Sequence, residues 1–243
     1  MTSRKLPHAF SDADQDAVYR AIFARRDMRH FVPGALPEGT LDRLLHAAHA
    51  APSVGFMQPW RFIRITDSSV RTQLKAVVEE ERIATAKALD AREDEFMRLK
   101  VEGLNDCAEI LVVCLTNHRE DYIFGRRTLP QMDLASASCA IQNMWLAARA
   151  EGIGMGWVSI FQPARLAELL SLPEGAEAIA ILCIGQVTNF YDKPMLEMEG
   201  WDTRKPLETM LMENHWQEPP HEHQQQTIKD SSSQSDNDDS STS

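Results

Sequence analysis

Three guanidinium groups surround one carboxylate in Arg25-Arg26-Asp27-Met28-Arg29, and a second chemically dense stretch follows at Ala51-Pro52-Ser53-Val54-Gly55-Phe56-Met57-Gln58-Pro59-Trp60. Clustered arginines suit a phosphate, because the guanidinium fork makes charge-assisted, bidentate contacts. The second stretch combines a hydroxyl, a permissive glycine, a side-chain amide and an indole, the mixture that lines a flat heterocycle with polar edges. Together the two stretches suggest a flavin site. Either stretch alone has a plainer reading. Basic residues at a helix end can merely complement its dipole, Asp27 can simply pair with its neighbours, and Met57 and Trp60 can be core residues.

Other signals are weak. Gly152-x-Gly154-x-Gly156 follows a helical pattern and opens a strand, the reverse of the strand-to-helix order that cradles a pyrophosphate. His46 and His49 share a helix and lack further ligands at a convincing spacing, so no metal is expected. No G-x-S-x-G elbow is present for hydrolase chemistry.

The elements that must position these residues follow from periodicity. A cap at Ser11 and the apolar positions Val18, Ile22 and Phe23 predict a helix from Asp12 to Arg26, delivering the arginines at its C-terminal end. Pro37 suits the first turn of a second helix bearing Leu41, Leu44, Leu45 and Ala48, which Pro52 ends. Arg61 to Thr66 reads as a strand. Residues 69–104, rich in Glu, Lys, Arg and Ala, predict one or two long exposed helices, of which about 80–104 are a candidate lid. Glu109 to Thr116 is continuously apolar and predicts a strand buried on both faces. A loop over 117–131 precedes the strongest helix, from Asp133, with Leu134, Ala137, Ile141, Trp145 and Ala148 on one stripe. Trp157 to Ile160 and Ala178 to Val187 predict two more strands, separated by a helix that starts at Pro163.

The chain of 243 residues is 43% hydrophobic, enough for one substantial core over about 1–218, with a polar tail at 219–243 expected to be disordered. A net charge of −11 argues against nucleic acid as a general partner. No apolar run approaches a membrane span, and the N-terminus lacks a secretion-signal pattern, so a cytoplasmic protein is expected. The four cysteines, without C-x-x-C spacing, read as reduced thiols.

The Arg-Arg-x-x-Arg run, the Ala-Pro-Ser and Gln-Pro-Trp loop, and Cys139-Ala140-Ile141-Gln142-Asn143-Met144-Trp145-Leu146-Ala147-Ala148 before a Gly-rich turn resemble the FMN-binding nitroreductase superfamily. The resemblance covers about Asp16 to Trp216. Pro130-Gln131-Met132-Asp133-Leu134 and Gly156-Trp157-Val158-Ser159-Ile160-Phe161 are, with the two stretches above, similar to its flavin-fragmenting branch. It implies an α+β fold with a mixed central sheet flanked by helices, and a homodimer with two FMN sites at the interface. Ordinary members usually carry Ser at the position of Asp27 and Asn at that of Met57. In the fragmenting branch reduced FMN is the substrate: O2 is consumed, and 5,6-dimethylbenzimidazole, the lower ligand of vitamin B12, and erythrose 4-phosphate are released. The resemblance implies Asp27 as the acid–base group near the ribityl carbons and Ser159 as a hydroxyl near the flavin N5 edge. It implies FMN contacts from Arg25, Arg26, Arg29, Ser53, Met57, Gln58, Gly156, Trp157 and Arg204. The neighbouring arginines are expected to favour ionised Asp27. A separate flavin reductase, using NAD(P)H, is the expected supplier of reduced FMN. The competing readings are an NAD(P)H-dependent FMN nitroreductase or quinone reductase, and a flavin-binding protein without turnover.

Overall fold

A computed structural model describes residues 6–217, so the polar tail at 219–243 lies outside the described residues. The chain divides after Trp201 into two units. The first carries helices α1 (Asp12–Ala24), α2 (Thr40–His49), α3 (Ser68–Ala88), α4 (Glu93–Arg98), α5 (Met132–Ala150), α6 (Pro163–Leu169) and α7 (Met195–Met198). Its strands are β1 (Trp60–Arg64), β2 (Glu109–Leu115), β3 (Gly154–Val158) and β4 (Glu177–Gly185). The described part of the second unit is exposed apart from partly buried Met212 and holds one short 3-10 turn at Leu207–Thr209.

The strands pair in the order β1-β2-β4-β3, and every pair is antiparallel. The α+β class with flanking helices is therefore the observed one. The expected mixture of strand directions reduces, among the described residues, to one parallel bridge between Asp27 and Met155. The reason is that the connections between paired strands bring the chain back reversed each time.

Strand alternation sorts the core into two layers. Leu111, Val113 and Leu115 of β2, with Ala180, Leu182 and Ile184 of β4, pack against α2 and α5 through Leu44, Ala48, Ile141, Met144 and Ala148. Ile110, Val112 and Cys114, with Ile181 and Cys183, face Leu74, Val77, Val78 and Leu166 of α3 and α6. The continuous apolar run of β2 is thus buried on both faces, as its sequence predicts. Removing one such side chain costs about 2–5 kcal/mol.

One expectation needs correction, and the apolar faces of α1 and α5 are not wholly covered. The apolar face of α1 is not in the core: Val18 is 50% exposed and Phe23 73%, and no residue of α1 is buried. Hydrophobic periodicity marks a face that seeks cover, and within one chain that cover is absent among the described residues. Leu134, placed on the apolar stripe of α5, is exposed, while Asp133 and Ser136 take buried positions on that helix. The 69–104 segment is not simply exposed. Its first half inserts Leu74, Val77 and Val78 into the core, and Ala86, Phe96 and Leu99 form a small apolar cluster with Trp201.

Candidate active site

The end of α1 is fastened to α5 by two side chains one turn apart. Trp145 donates its indole N–H to the carbonyl of Arg26 (3.2 Å), and Arg149 donates Nε to that of Ala24 (2.9 Å). The Ala24 carbonyl is one that the terminating helix leaves open, and that of Arg26 lies just beyond the helix end. The next residues then run beside β3, where the Met28 N–H donates to the Met155 carbonyl (3.0 Å). This approach requires Gly156. A Cβ there would sit 2.2 Å from the Met28 carbonyl oxygen and 2.7 Å from Arg29 Nη1.

Asp27 is held at both oxygens. Oδ1 accepts the backbone N–H of Trp157 (3.0 Å), and Oδ2 accepts Arg29 Nη2 (2.7 Å). The carboxylate still reaches the surface, its side chain being 42% exposed in the single chain. Burial nevertheless raises its pKa above the ordinary 3.8, outweighing the lowering influences of Arg29, the Trp157 N–H and Arg25. The arginines do favour the ionised form, as expected, but burial outweighs them. Burial is a property of the packed site that adjacent charges in the sequence do not reveal.

The arginines have distinct fates. Arg25 lies with Cζ 4.5 Å over the Trp145 ring. Arg26 donates to the carbonyls of Phe23 (2.8 Å), Arg25 (2.7 Å) and Asp192 (2.7 Å), so both its terminal nitrogens are committed to backbone. Arg29 is buried and bridges Asp27 and the Trp157 carbonyl (2.7 Å) through Nη2, while its Nη1 is a buried donor with no hydrogen-bond partner among the described residues. The Arg29 backbone N–H donates to the Tyr191 hydroxyl (3.2 Å), which lies 2.6 Å from His30 Nδ1. Trp157 is half-buried, with its ring 6.4 Å from that of Trp145. Ser159 is exposed and lies one residue beyond the end of β3, not within a strand.

The second stretch forms a separate group. Ser53 Oγ accepts the Gln58 N–H (3.1 Å), closing a loop in which Gly55, Phe56 and Gln58 all adopt positive φ (53°, 55° and 49°). Such backbone is unfavourable for Phe and Gln and concentrates at functional sites. The loop is tied to α5 by the Val54 N–H, which donates to Ser136 Oγ (3.0 Å). Met57 is buried, and with Gln58 it borders a cleft of about 520 Å³ also lined by His46, His49, Trp60 and Arg61. Trp60 is a core residue whose indole N–H donates to His49 (3.3 Å).

The structure therefore brings Arg25, Arg26, Asp27, Arg29, Gly156 and Trp157 into one cluster near the C-terminal half of α5. Ser53, Met57 and Gln58 form another, anchored nine positions earlier on that helix. Arg204 belongs to the second unit and is exposed there. Sequence reading missed Arg149, Tyr191 and Asp192, whose roles depend on tertiary approach. Trp145 carried a detectable signal, since a buried indole must place its N–H on an acceptor. Among the described residues no group of His, Cys, Asp and Glu could hold a metal ion.

Residues 22–186 match the Nitroreductase family, and the chain belongs to that family. Within it, the chain is 39% identical over 201 residues to a 5,6-dimethylbenzimidazole synthase of Rhodospirillum rubrum, covering 81% of this chain and 94% of the relative. It is 34% identical over 203 residues to a 5,6-dimethylbenzimidazole synthase of Rhodobacter capsulatus, covering 82% and 97%. Solved structures share the fold at lower identity. Nitroreductase A of Vibrio parahaemolyticus matches with a TM-score of 0.63 at 20% identity, covering 83% of this chain and 78% of that one. The NADPH:FMN oxidoreductase of Vibrio harveyi complexed with NAD+ matches with 0.62 at 21%, covering 83% and 79%.

Proposed function

We propose that the chain is a 5,6-dimethylbenzimidazole synthase, an enzyme that fragments reduced FMN with O2 into 5,6-dimethylbenzimidazole and erythrose 4-phosphate. The observation that carries this reading is the carboxylate at position 27, in a chain that aligns with nearly the whole length of two synthases. The residues fit a flavin. A buried guanidinium nitrogen of Arg29 has no hydrogen-bond partner among the described residues, and a partly open acid stands beside it with the tilted Trp145 and Trp157 rings nearby. Bound FMN supplies the ring system of the product and the electrons that reduce O2.

Asp27 acts as the proton carrier. Trp157 and Arg29 each occupy one lone pair of its two oxygens, fixing the carboxyl plane and leaving the remaining lone pairs to meet the substrate. Because burial moves its pKa up towards the working pH, it exchanges protons in both directions more readily than an exposed aspartate. A serine hydroxyl at this position could bind but could not do so. Ser159 contributes a hydroxyl from the exposed end of β3. Arg25 would hold the phosphate when FMN is bound, while Arg26 and Arg29 would reinforce its field from positions fixed by backbone carbonyls and Asp27. The Ser53–Gln58 loop supplies the other wall. The enzyme works as a homodimer in the cytoplasm, and a separate flavin reductase delivers reduced FMN.

The test is incubation with chemically reduced FMN in air, followed by product analysis. The wild type releases 5,6-dimethylbenzimidazole. Asp27→Asn retains FMN but forms product about 10²- to 10⁴-fold more slowly, the span of a lost acid–base group. Rapid NAD(P)H consumption with FMN recovered intact would instead make the chain an ordinary reductase.

A further inference from the structure

Asp133 is a buried acid that the proposed chemistry leaves unused. Its side chain is 7% exposed, at the start of α5. Oδ2 accepts both Arg119 Nε and Arg126 Nη2 at 2.9 Å, and Oδ1 accepts the Leu134 N–H at 2.6 Å. The two arginines are themselves nearly buried, at 16% and 10% side-chain exposure. Each also grips backbone. Arg119 Nη1 donates to the carbonyls of Thr116 (2.6 Å) and Gly175 (2.7 Å). Arg126 donates to the carbonyls of Pro130 (3.2 Å) and Arg119. One carboxylate therefore draws together both ends of the segment from Arg119 to Arg126.

That segment is interlocked with the Ser53–Gln58 loop through two glycines. A Cβ on Gly55 would lie 2.9 Å from the Phe124 carbonyl oxygen, and a Cβ on Gly125 would lie 2.5 Å from Val54 Cγ2. Both glycines have positive φ, 53° and 76°. The same loop is held from below by Ser136, one turn after Asp133, whose hydroxyl accepts the Val54 N–H and donates to the Met132 carbonyl (2.6 Å). The loop's left-handed residues need such support, because an isolated chain would relax out of that conformation.

We propose that Asp133 is a positioning residue for flavin binding: by clasping Arg119 and Arg126 it seats the Tyr122–Gly125 segment against Val54 and Gly55 and so fixes the shape of the Ser53–Gln58 loop. The inference rests on the reading of that loop as a wall of the flavin site. Its effect falls on affinity. A loop that has lost its support must be reordered by the ligand, which raises the dissociation constant while leaving Asp27 and its partners in place.

Two variants test it, with oxidised FMN as the probe, titrated by quenching of its fluorescence. Asp133→Asn keeps the volume and removes the charge that the two arginines share. Gly125→Ala disturbs only the interlock, through the Val54 contact and the positive φ. Both are expected to bind FMN about tenfold more weakly, equivalent to about 1.4 kcal/mol, with native far-UV circular dichroism. At saturating reduced FMN, the rate of dimethylbenzimidazole formation stays within about threefold of wild type, so the defect lies in KM and not in kcat. A purely structural role would lower Tm and leave the FMN dissociation constant unchanged. Should Asp133→Asn not fold, Gly125→Ala decides. An FMN affinity within about twofold of wild type in the folded variants overturns the inference. Because this titration needs no turnover, a wild type that binds FMN but makes no dimethylbenzimidazole overturns the synthase reading alone. A wild type that does not bind FMN overturns both.

Discussion

A carboxylate two residues from one arginine and beside another would, in open water, be held in its ionised form. In the folded chain the pKa of Asp27 instead lies above its ordinary value, because the packing of β3 and the end of α1 removes more water than Arg29, the Trp157 N–H and Arg25 replace. The acid itself, its arginine neighbours and the loop at Ser53–Gln58 were legible from residue types at close spacing. The direction of the Asp27 shift was not, since it depends on residues 130 positions away in the chain. The same is true of Arg26, whose terminal nitrogens are consumed by Asp192 and by the turns around it. The raised pKa has a consequence for stability. The native state prefers the protonated acid, so its contribution is complete below pH 3.8 and is lost as pH rises through the higher folded value. Asparagine does not titrate and suffers no such loss. Asp27→Asn also leaves Arg29 without its anion, but that cost is a nearly constant offset. The Tm difference between Asp27→Asn and wild type is therefore expected to shift in favour of the variant from about pH 4 upwards, as read by thermal denaturation in a series of buffers. A difference that moves the other way would mean that the arginines, not burial, dominate.

At the scale of elements, the order of helices and strands was readable, because β2 declares itself by a continuous apolar run and α2 and α5 by their period. What periodicity could not supply was how the non-helical segment 25–29 lies on the sheet. That geometry rests on the absence of a side chain at one strand position. Gly156 lets the Met28 carbonyl pass within 2.2 Å of where a Cβ would stand, and its φ is not in the left-handed region, so space and not backbone freedom is what glycine provides. In the sequence it looked like the last member of a Gly-x-Gly-x-Gly run, a pattern shared by very different turns. Gly156→Ala is expected to push residues 27–29 off β3, break the Trp157 to Asp27 hydrogen bond and abolish product formation. The accompanying loss of stability is about 1–3 kcal/mol, the usual effect of overpacking. Thermal denaturation and the product assay check the two effects together. Wild-type behaviour in both would show that the close approach is not needed.

At the scale of the whole molecule, the feature needing an explanation is the apolar surface of α1. Val18, Tyr19, Ile22 and Phe23 are all exposed, and Tyr19 and Phe23 stack on one another with ring centres 6.2 Å apart, so the face forms one patch and not scattered contacts. Phe56, Ile123 and Phe124 are exposed as well, beside the interlocked loops. Patches of this kind on a folded chain mark association surfaces. The proposed homodimer provides the cover, and it also explains the division of the candidate site. The Asp27 cluster rests on Trp145, and the Ser53 loop on Ser136, about 14 Å apart along α5 at 1.5 Å per residue. Two copies brought together by their apolar faces can set the Asp27 cluster of one protomer opposite the Ser53 loop of the other. The amphipathic pattern of α1 announced a buried face in the sequence, but a pattern does not say whether the covering surface comes from the same chain. Sedimentation should give wild type a mass twice the 27.4 kDa of the chain. Placing a carboxylate in the middle of the patch, as Ile22→Glu, imposes a desolvation penalty twice in a symmetric interface and a smaller one in the isolated protomer, where Ile22 is already 41% exposed. That variant is expected to sediment as a folded monomer and to lose FMN affinity with the dimer. A monomeric Ile22→Glu that still binds FMN as wild type does would place the entire site within one chain.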